Sequence, residues 1–303
     1  RQIDYNIQID KGRVTFRVEP KGDPVMKYRT LYICTALLGF GLVVSCTPIV
    51  EEMTEVEKRA ADPRNKAHMV GDKASGYVYM TSQTRDMQDD DIANPAFTWV
   101  DLAEEKWSKV EGKAGKSCAS CHQDVNKAMK GVANKYPQYD PESKKLIALQ
   151  VKINRERTKR MGAKPWKWES DQMLGMAALV KLQSRGMPVN VKIDGPAKPF
   201  FEKGKEFYNQ RRGLLDMACA NCHVDNAGNM ARSNVLSQGM INGFPVYRLK
   251  WQKPGSVHRR FIGCNKQVRA TPYKRGSEEY TNLELFLMWR ASGLNWETPA
   301  VRN

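Results

Sequence analysis

Cys219-Ala220-Asn221-Cys222-His223 is the stretch that decides the fold of this 303-residue chain. Two cysteines separated by two residues can bond the two vinyl groups of a haem, and the histidine that follows can ligate its iron. The pattern recurs at Cys118-Ala119-Ser120-Cys121-His122. Because the chain has only 7 cysteines, two such motifs predict two covalently bound haem c groups. A zinc or redox Cys-x-x-Cys site is the alternative, but no further ligand pair stands at zinc spacing.

Helical patterns surround both motifs. Apolar residues at helical spacing precede the motifs over 97–110 and 200–215, and further apolar helices are predicted over 173–182 and 283–289. A helix before the motif, a loop-rich middle and a closing helix are the parts of a small cytochrome c domain.

The two halves also repeat. Pro165-Trp166-Lys167 and Pro272-Tyr273-Lys274 are 107 residues apart, and Gly186 and Gly293, which fit as C-caps of the closing helices, share that offset. We therefore predict an all-α fold of two tandem cytochrome c-like domains. The predicted bounds are 79–188 for domain I and 189–303 for domain II.

An export signal is predicted near the N-terminus. Residues 26–46 combine a basic opening, an apolar run and Val43-Val44-Ser45-Cys46, which has the form of a lipoprotein cleavage box. This favours cleavage before Cys46 and a lipid on its sulfur, with an uncleaved anchor or ordinary cleavage as alternatives. Residues 1–25 precede the first predicted initiator and are not expected in the mature protein. Residues 47–78 are charged and are predicted to be a tether.

The net charge of +16 limits the partners. A basic surface suits nucleic acid, an anionic membrane, an acidic protein or a small anion. Haem c is attached outside the cytoplasm, so the motifs and the signal predict a periplasmic protein and argue against nucleic acid. Membrane contact is expected only through the lipid anchor, which leaves an anion or an acidic protein as the partner.

Cys264 is the cysteine left over. Cys34 leaves with the signal, Cys46 takes lipid, and the four motif cysteines Cys118, Cys121, Cys219 and Cys222 take haem. The basic residues Arg259, Arg260, Lys266 and Arg269 surround the remaining thiol in sequence, and positive charge lowers a thiol pKa and attracts anions. Cys264 is thus a candidate ligand for the second haem iron opposite His223, with an inert buried thiol in a solvated basic loop as the alternative.

The first half has no cysteine at the corresponding place. Subtracting the repeat offset from Cys264 gives Arg157, next to Glu156. The iron ligated by His122 is therefore five-coordinate or takes another group, and the available kinds are a lysine, Met161, Met173, Met176, His68 and His258.

The chain resembles the SoxA family, the cytochrome subunits of L-cysteine S-thiosulfotransferases. The matching stretches lie in both halves and cover most of residues 79–303; they are 117–122, Arg160-Met161-Gly162-Ala163-Lys164-Pro165-Trp166-Lys167-Trp168-Glu169-Ser170, 219–223, 263–265, 268–270, 283–285 and 297–302. Where two-haem members have Ile-Asn-x-Cys-Arg-Thr, this chain has Glu156 in place of the cysteine.

The resemblance implies a heterodimer with the smaller cytochrome SoxX, acting on the SoxY component of the SoxYZ carrier. It implies that Cys264 is catalytic and a haem ligand carried as a persulfide, that Arg260 binds thiosulfate, and that His223 is the other axial ligand. The expected reaction couples thiosulfate oxidatively to a carrier cysteine while electrons leave through haem. The alternatives are a diheme electron carrier without a substrate, and a thiosulfate dehydrogenase that forms tetrathionate.

Overall fold

The computed structural model describes residues 55–303 continuously and, before them, the backbone of four strands; side chains are described from residue 57 onward. The chain divides into a unit of residues 1–67 and a compact unit of residues 68–303. In the first unit, the strands form an antiparallel sheet in chain order: β1 (Asp4–Asp10), β2 (Arg13–Glu19), β3 (Tyr28–Leu37) and β4 (Val43–Glu52). The predicted signal cleavage and the lipid on Cys46 concern side chains outside the described residues, and they stay predictions.

Helices are the main secondary structure of the second unit. One helix, α1 (Glu55–Ala60), lies in the first unit. The others are α2 (Ser82–Asp89), α3 (Phe97–Ser108), α4 (Ala119–His122), α5 (Val125–Ala128), α6 (Leu149–Arg160), α7 (Asp171–Leu182), α8 (Lys198–Asn209), α9 (Cys219–His223), α10 (Val257–Gln267) and α11 (Glu278–Arg290). Five 3₁₀ turns are also described: Pro63–His68, Gly76–Tyr79, Val132–Lys135, Gly195–Ala197 and Leu249–Trp251. Within the part of the chain that the structure describes, no helix combines the length and apolar character needed to cross a bilayer.

Short strands join these helices, so the fold is not purely helical as predicted. They are β5 (Met69–Val70), β6 (Lys73–Ala74), β7 (Gln138–Asp140), β8 (Lys145–Ile147), β9 (Met230–Ala231), β10 (Asn234–Val235), β11 (Val246–Arg248), β12 (Lys253–Gly255) and β13 (Ala300–Arg302). β11 lies between antiparallel β12 and parallel β13. Strands of two or three residues satisfy backbone groups in the connections but are too short to give the alternating pattern that identifies a strand in sequence.

Each half of the chain is built around its own hydrophobic cluster. One contains Val100, Trp107, Met176 and Leu179 and joins α3 to α7. The larger one is built mostly from residues 189–296 and joins α8 to α11. The helix before each haem motif thus packs on the helix that closes its half.

Small residues let the helices of each pair approach closely. A Cβ atom on Gly175 of α7 would lie 2.3 Å from the backbone oxygen of Trp99 in α3. In the second half, a Cβ atom on Gly204 of α8 would lie 2.1 Å from the backbone oxygen of Asn282 in α11. Gly204 precedes Cys219 of its motif by as many residues as Ala103 precedes Cys118, so both halves place a small residue at the same crossing point.

Two details differ from the sequence predictions. Gly186 and Gly293 have positive φ angles of 79° and 90°, but α7 and α11 are capped by Gln183 and Ala291. The glycines lie in the turns beyond the caps, where the Gly293 N–H donates to the Val189 carbonyl.

The compact unit begins before the predicted domain boundary at 79. It starts at His68, and Ala74, Tyr77 and Val78, assigned to a tether, are buried in it. The charged residues of 47–66 dominate the composition of that segment and conceal the apolar residues at its end.

Candidate haem and thiol site

The second haem motif forms the short helix α9. The Ala218 N–H donates to the Asn221 side chain at 2.9 Å, which closes the first turn of this helix. Cys219 packs against the larger hydrophobic cluster. All five described cysteines are free thiols, so each motif cysteine can form a thioether.

The imidazole of His223 is held in one orientation. Its Nδ1 lies 2.7 Å from the Ser237 carbonyl oxygen, so that Nδ1 carries the proton and donates. Gly239 has a φ of +73°, and a Cβ atom there would lie 2.9 Å from the ring. This glycine makes room for the imidazole and leaves Nε2 available to a metal, the arrangement typical of haem and zinc histidines.

Cys264 faces His223 from α10. Burial raises the pKa of the Cys264 thiol, but Arg260, a hydrogen bond with His223 and Arg248 outweigh it and lower the pKa to about 7. Imidazole and thiolate are both groups that ligate haem iron, so His223 and Cys264 are the side chains that would hold one. The structure thus brings together Cys219, Cys222, His223 and Cys264, which the sequence places in two separate segments.

Two arginines, Arg260 and Arg248, act on this thiol, and Arg259 lies beside Arg248. Arg259 and Arg260 lie in the first turn of α10, and Arg248 ends β11. The guanidinium groups of Arg248 and Arg259 lie 5.3 Å and 4.2 Å from the ring centre of Trp251. Burial and the charges of Arg260 and Arg259 lower the pKa of Arg248 to about 10. Among the described residues, no aspartate or glutamate side chain pairs with any of the three, so their charge is available to an anion.

Sequence reasoning missed Arg248. It lies 16 residues before Cys264, in a segment without a motif. The strand order β12–β11–β13 brings it to the thiol, and its Nε donates to the carbonyl oxygen of Asn303. A pairing between such short strands leaves no signal in the sequence.

The first motif forms α4 in a more exposed setting. Cys118 packs against the cluster of the first half, and burial raises the pKa of its thiol. His122 is exposed, and its ring lies 5.9 Å from that of Trp107. Cys118, Cys121 and His122 fit the attachment of a haem.

The counterpart of Cys264 in the first half is Glu156, not Arg157. Helices α6 and α10 begin at equivalent positions, after Ala148 and Ser256. At its end, however, the Met161 N–H reaches back five residues to the Glu156 carbonyl, whereas the Val268 N–H reaches back four to Cys264. Helix α6 therefore holds one extra residue in its last turn, which explains why the offset arithmetic pointed to Arg157.

Glu156 is already paired. Its carboxylate lies 2.6 Å from the Lys152 ammonium, and Lys152 stands where Arg260 stands in α10. In the first half, Lys152 and Glu156 thus neutralise each other's charge. In the second half, Arg260 lies beside the Cys264 thiol and can still bind an anion.

The repeated aromatic position has the same role in both halves. The guanidinium of Arg157 lies 3.6 Å from the ring centre of Trp166, and that of Arg212 lies 4.8 Å from the ring centre of Tyr273. Both rings thus stack on a guanidinium, although Arg157 lies in α6 and Arg212 lies before the second haem motif, and the repeat stays a prediction.

The other candidate ligands for the first haem have partners elsewhere. His68 Nδ1 lies 2.7 Å from the Glu297 carboxylate. His258 is fully buried and bonds Glu284 through Nε2 and the Gly276 N–H through Nδ1. The three candidate methionines are also buried: Met161, Met173 and Met176.

Comparisons with known proteins agree with this site. The family model for the SoxA/TsdA cytochrome c domain matches residues 102–189. The L-cysteine S-thiosulfotransferase subunit SoxA of Paracoccus pantotrophus is 45% identical over 249 residues, covering 82% of this chain and 86% of its own. The subunit of the same name from Pseudaminobacter salicylatoxidans is 40% identical over 276 residues, covering 88% and 96%.

A solved structure is similar as well. The crystal structure of SoxXA from P. pantotrophus includes a chain that is 47% identical and superposes with a TM-score of 0.74. The match covers 76% of this chain and 87% of that one. The similarity therefore extends over the helices of both halves and confirms a cytochrome c-like fold.

Proposed function

The chain belongs to the SoxA family, and on that premise we propose that it couples thiosulfate oxidatively to a cysteine of a carrier protein. The relatives' name, L-cysteine S-thiosulfotransferase subunit, describes this chemistry. The observation that carries the proposal is Cys264 opposite His223 with the charges of Arg260 and Arg248 beside it. An electron carrier needs neither the thiol nor the cations.

Two haem groups are proposed, in two tandem domains that meet near residue 188. Cys219 and Cys222 would hold one, with His223 and Cys264 as its axial ligands. Cys118 and Cys121 would hold the other, with His122 on one side. When bound, haem supplies an acceptor that takes electrons one at a time.

The chain's own residues bind and orient the substrate. Thiosulfate is a dianion, and the planar forks of Arg260 and Arg248 can each donate two hydrogen bonds to its sulfonate oxygens. This places the outer sulfur of thiosulfate at the Cys264 sulfur. The pKa of about 7 keeps a substantial fraction of that thiol ionised at neutral pH.

The reaction then balances in two stages. Formation of a sulfur–sulfur bond between the Cys264 thiolate and the outer sulfur of thiosulfate releases two electrons. A thiolate of the carrier next attacks that outer sulfur, takes the thiosulfonate group and releases the Cys264 thiolate. Splitting oxidation from transfer in this way is covalent catalysis. If Cys264 carries an additional sulfur, the same two bonds form and break at that atom.

The partners follow from the same family. We propose a heterodimer with the SoxX cytochrome, because the similar structure is of a SoxXA complex. The carrier would be SoxY of SoxYZ, and the compartment the periplasm, with membrane contact through a lipid on Cys46.

Cys264→Ala tests the proposal. We expect loss of thiosulfate-dependent mass gain on the carrier, while the intact mass of the variant still shows two haems. Lys266→Ala, an exposed position two residues away, is the control and should keep wild-type turnover. Undiminished carrier modification by Cys264→Ala would refute the catalytic role.

Thiosulfate dehydrogenase activity is the second candidate, since the matched family model covers both SoxA and TsdA. Such an enzyme would join two thiosulfate ions to tetrathionate without a carrier. Incubation with thiosulfate and an electron acceptor alone distinguishes the two: tetrathionate formation at the rate of carrier modification would favour the dehydrogenase.

A further inference from the structure

The loop before α7 reaches from the first half to the helix that carries Cys264. Trp168 and Glu169 lie in this loop, directly before Ser170, the N-cap of α7. Both contact Ser256, which is buried and caps the N-terminus of α10. The first half therefore contacts the N-terminal end of α10, the helix that carries Arg260 and Cys264.

Ser256 uses every bonding position of its hydroxyl group. Its Oγ accepts from the Arg259 N–H at 3.2 Å and from the Trp168 indole N–H at 3.2 Å, and it donates to the Glu169 carboxylate. Glu169 also accepts from the Ser256 backbone N–H at 3.5 Å. A hydroxyl with one donor and two acceptor positions filled has no freedom to rotate, so the cap is fixed from the first half.

His258 adds a second fixed point in the same turn. Its ring stacks on Trp168 with centroids 4.9 Å apart and an interplanar angle of 22°. Its Nδ1 accepts from Gly276 at 2.9 Å and its Nε2 donates to Glu284 at 3.1 Å. A Cβ atom on Gly276 would lie 2.8 Å from Trp168, so the glycine leaves space for the indole.

The position of the cap matters for the thiol. Cys264 is eight residues along α10 from Ser256, about 12 Å at the usual rise of a helix. A tilt of about 10° at the cap would displace Cys264 by about 2 Å. Misplacement of a reacting atom by about 1 Å can lower a rate about a hundredfold.

We propose that Trp168 and Glu169 are positioning residues, which set the direction of α10 and thereby hold Cys264 and Arg260 at the reaction site. This inference rests on the proposed function for its activity readout, but the geometry of α10 is independent of it. On this reading, the first half contributes to the site mechanically, whatever the redox role of its own haem.

Glu169→Ala tests the inference in the purified holoprotein. It removes the acceptor of the Ser256 hydroxyl, and we expect carrier modification to fall about 10- to 100-fold, the loss that a displacement of Cys264 by about 1 Å can cause. We also expect faster alkylation of Cys264 by iodoacetamide, measured by peptide mass spectrometry. Glu169→Gln retains an accepting oxygen and should recover most of both properties.

Asp171→Asn is the matched control. Asp171 also joins the two halves, through an ion pair with Lys253 at 3.0 Å, but does not contact α10. It should leave turnover and the alkylation rate of Cys264 unchanged. If Glu169→Ala does not fold, Trp168→Phe replaces it. This variant keeps an aromatic ring beside His258 but loses the N–H donor and part of the ring surface, so it should give an intermediate effect.

Two outcomes overturn the inference: Glu169→Ala behaving like Asp171→Asn in both readouts, or Glu169→Gln failing to differ from Glu169→Ala. If the wild-type protein itself modifies no carrier, the proposed function fails, and the alkylation rates alone decide whether Trp168 and Glu169 position Cys264.

Discussion

Arg260 and Cys264 lie one helical turn apart, and the same two positions in α6 hold Lys152 and Glu156. Side chains four apart on a helix are neighbours. A lysine and a glutamate there form an ion pair and cancel, as the 2.6 Å distance shows. The charge of an arginine is not neutralised by a thiol until that thiol ionises. The two halves therefore differ in two side chains on an otherwise similar helix.

Arg248 should bind the substrate together with Arg260. We expect Arg248→Gln to raise the KM for thiosulfate about tenfold or more, because a hydrogen bond to a charged group contributes about 1.5 to 3 kcal/mol. Arg248→Lys should give a smaller increase, since it keeps the charge but not the planar fork. Steady-state kinetics at fixed carrier concentration measures this.

Lys250→Gln is the control for Arg248. It removes the same charge from an exposed side chain two residues away. An equal rise in KM for both variants would show that general charge, and not a contact made by Arg248, attracts thiosulfate.

Glu297 should make the stability of the second unit depend on pH. Burial raises its pKa, but a hydrogen bond from His68 and the charge of Arg302 lower it to about 2. Because the pKa of the folded state lies below the ordinary 4.5, the ionised carboxylate stabilises the fold above about pH 4.5, and this contribution is lost as the pH falls toward 2. The contribution at pH 7 is on the order of 3 kcal/mol.

Unfolding by denaturant at a series of pH values checks this. Glu297→Gln should lower the free energy of unfolding at pH 7, and its difference from the wild-type protein should shrink as the pH falls below 4.5. Glu278→Gln, which removes an exposed carboxylate paired with Lys203, should change little. A difference for Glu297→Gln that is constant across this range would contradict the assignment.

At the scale of elements, helix crossings should tolerate no added atoms. Gly204→Ala places a methyl group 2.1 Å from the Asn282 carbonyl, so α8 and α11 must separate. We expect destabilisation of about 1 to 3 kcal/mol or more, the usual cost of overpacking. Thermal unfolding with haem content measured in parallel would test it.

Gly263→Ala is the matched change inside a helix. Nothing lies within 4 Å of a Cβ atom at Gly263, so alanine should be neutral or stabilise α10 by up to about 1 kcal/mol. If both substitutions lowered the melting temperature equally, the close approach of α8 and α11 would not explain the glycine.

The helices could be predicted from sequence because each buries a continuous apolar face. Phe97, Val100 and Trp107 have helical spacing, and α3 ends within two residues of the predicted end. The extra residue of α6 could not be predicted, because a single widened turn leaves the surrounding pattern intact. The contact of Trp168 with His258 was also missed, since pairing over 90 residues depends on how the halves pack.

At the scale of the whole molecule, the site was predicted only as far as its motifs. Both haem motifs, His223 and Cys264 are visible in the sequence because their chemistry requires particular residue types. Arg248 could not be predicted as part of the site, because the chain has 49 lysines and arginines and nothing in the sequence distinguishes this one.

The charge of the whole chain should appear in the rate of encounter with the carrier. With a net charge of +16, attraction to an acidic protein acts over long distance. We expect the second-order rate of carrier modification to fall at least tenfold between low salt and about 0.5 M salt, since screening shortens the range of this attraction to a few ångströms. Intact-mass assays at several salt concentrations measure it, and a rate independent of salt would show that encounter is not guided by charge.

The contacts of Trp168 and Glu169 with Ser256 have a consequence for protein engineering. Residues 189–303 contain every group proposed to react, which invites transplanting them as a free-standing module. Cut out in that way, the segment would lose Trp168 and Glu169, leaving the hydroxyl of Ser256 and one face of His258 open to solvent. We therefore expect that residues 189–303 cannot be used alone. A shortened protein must retain the loop that precedes α7, together with enough of the first half to hold that loop in place.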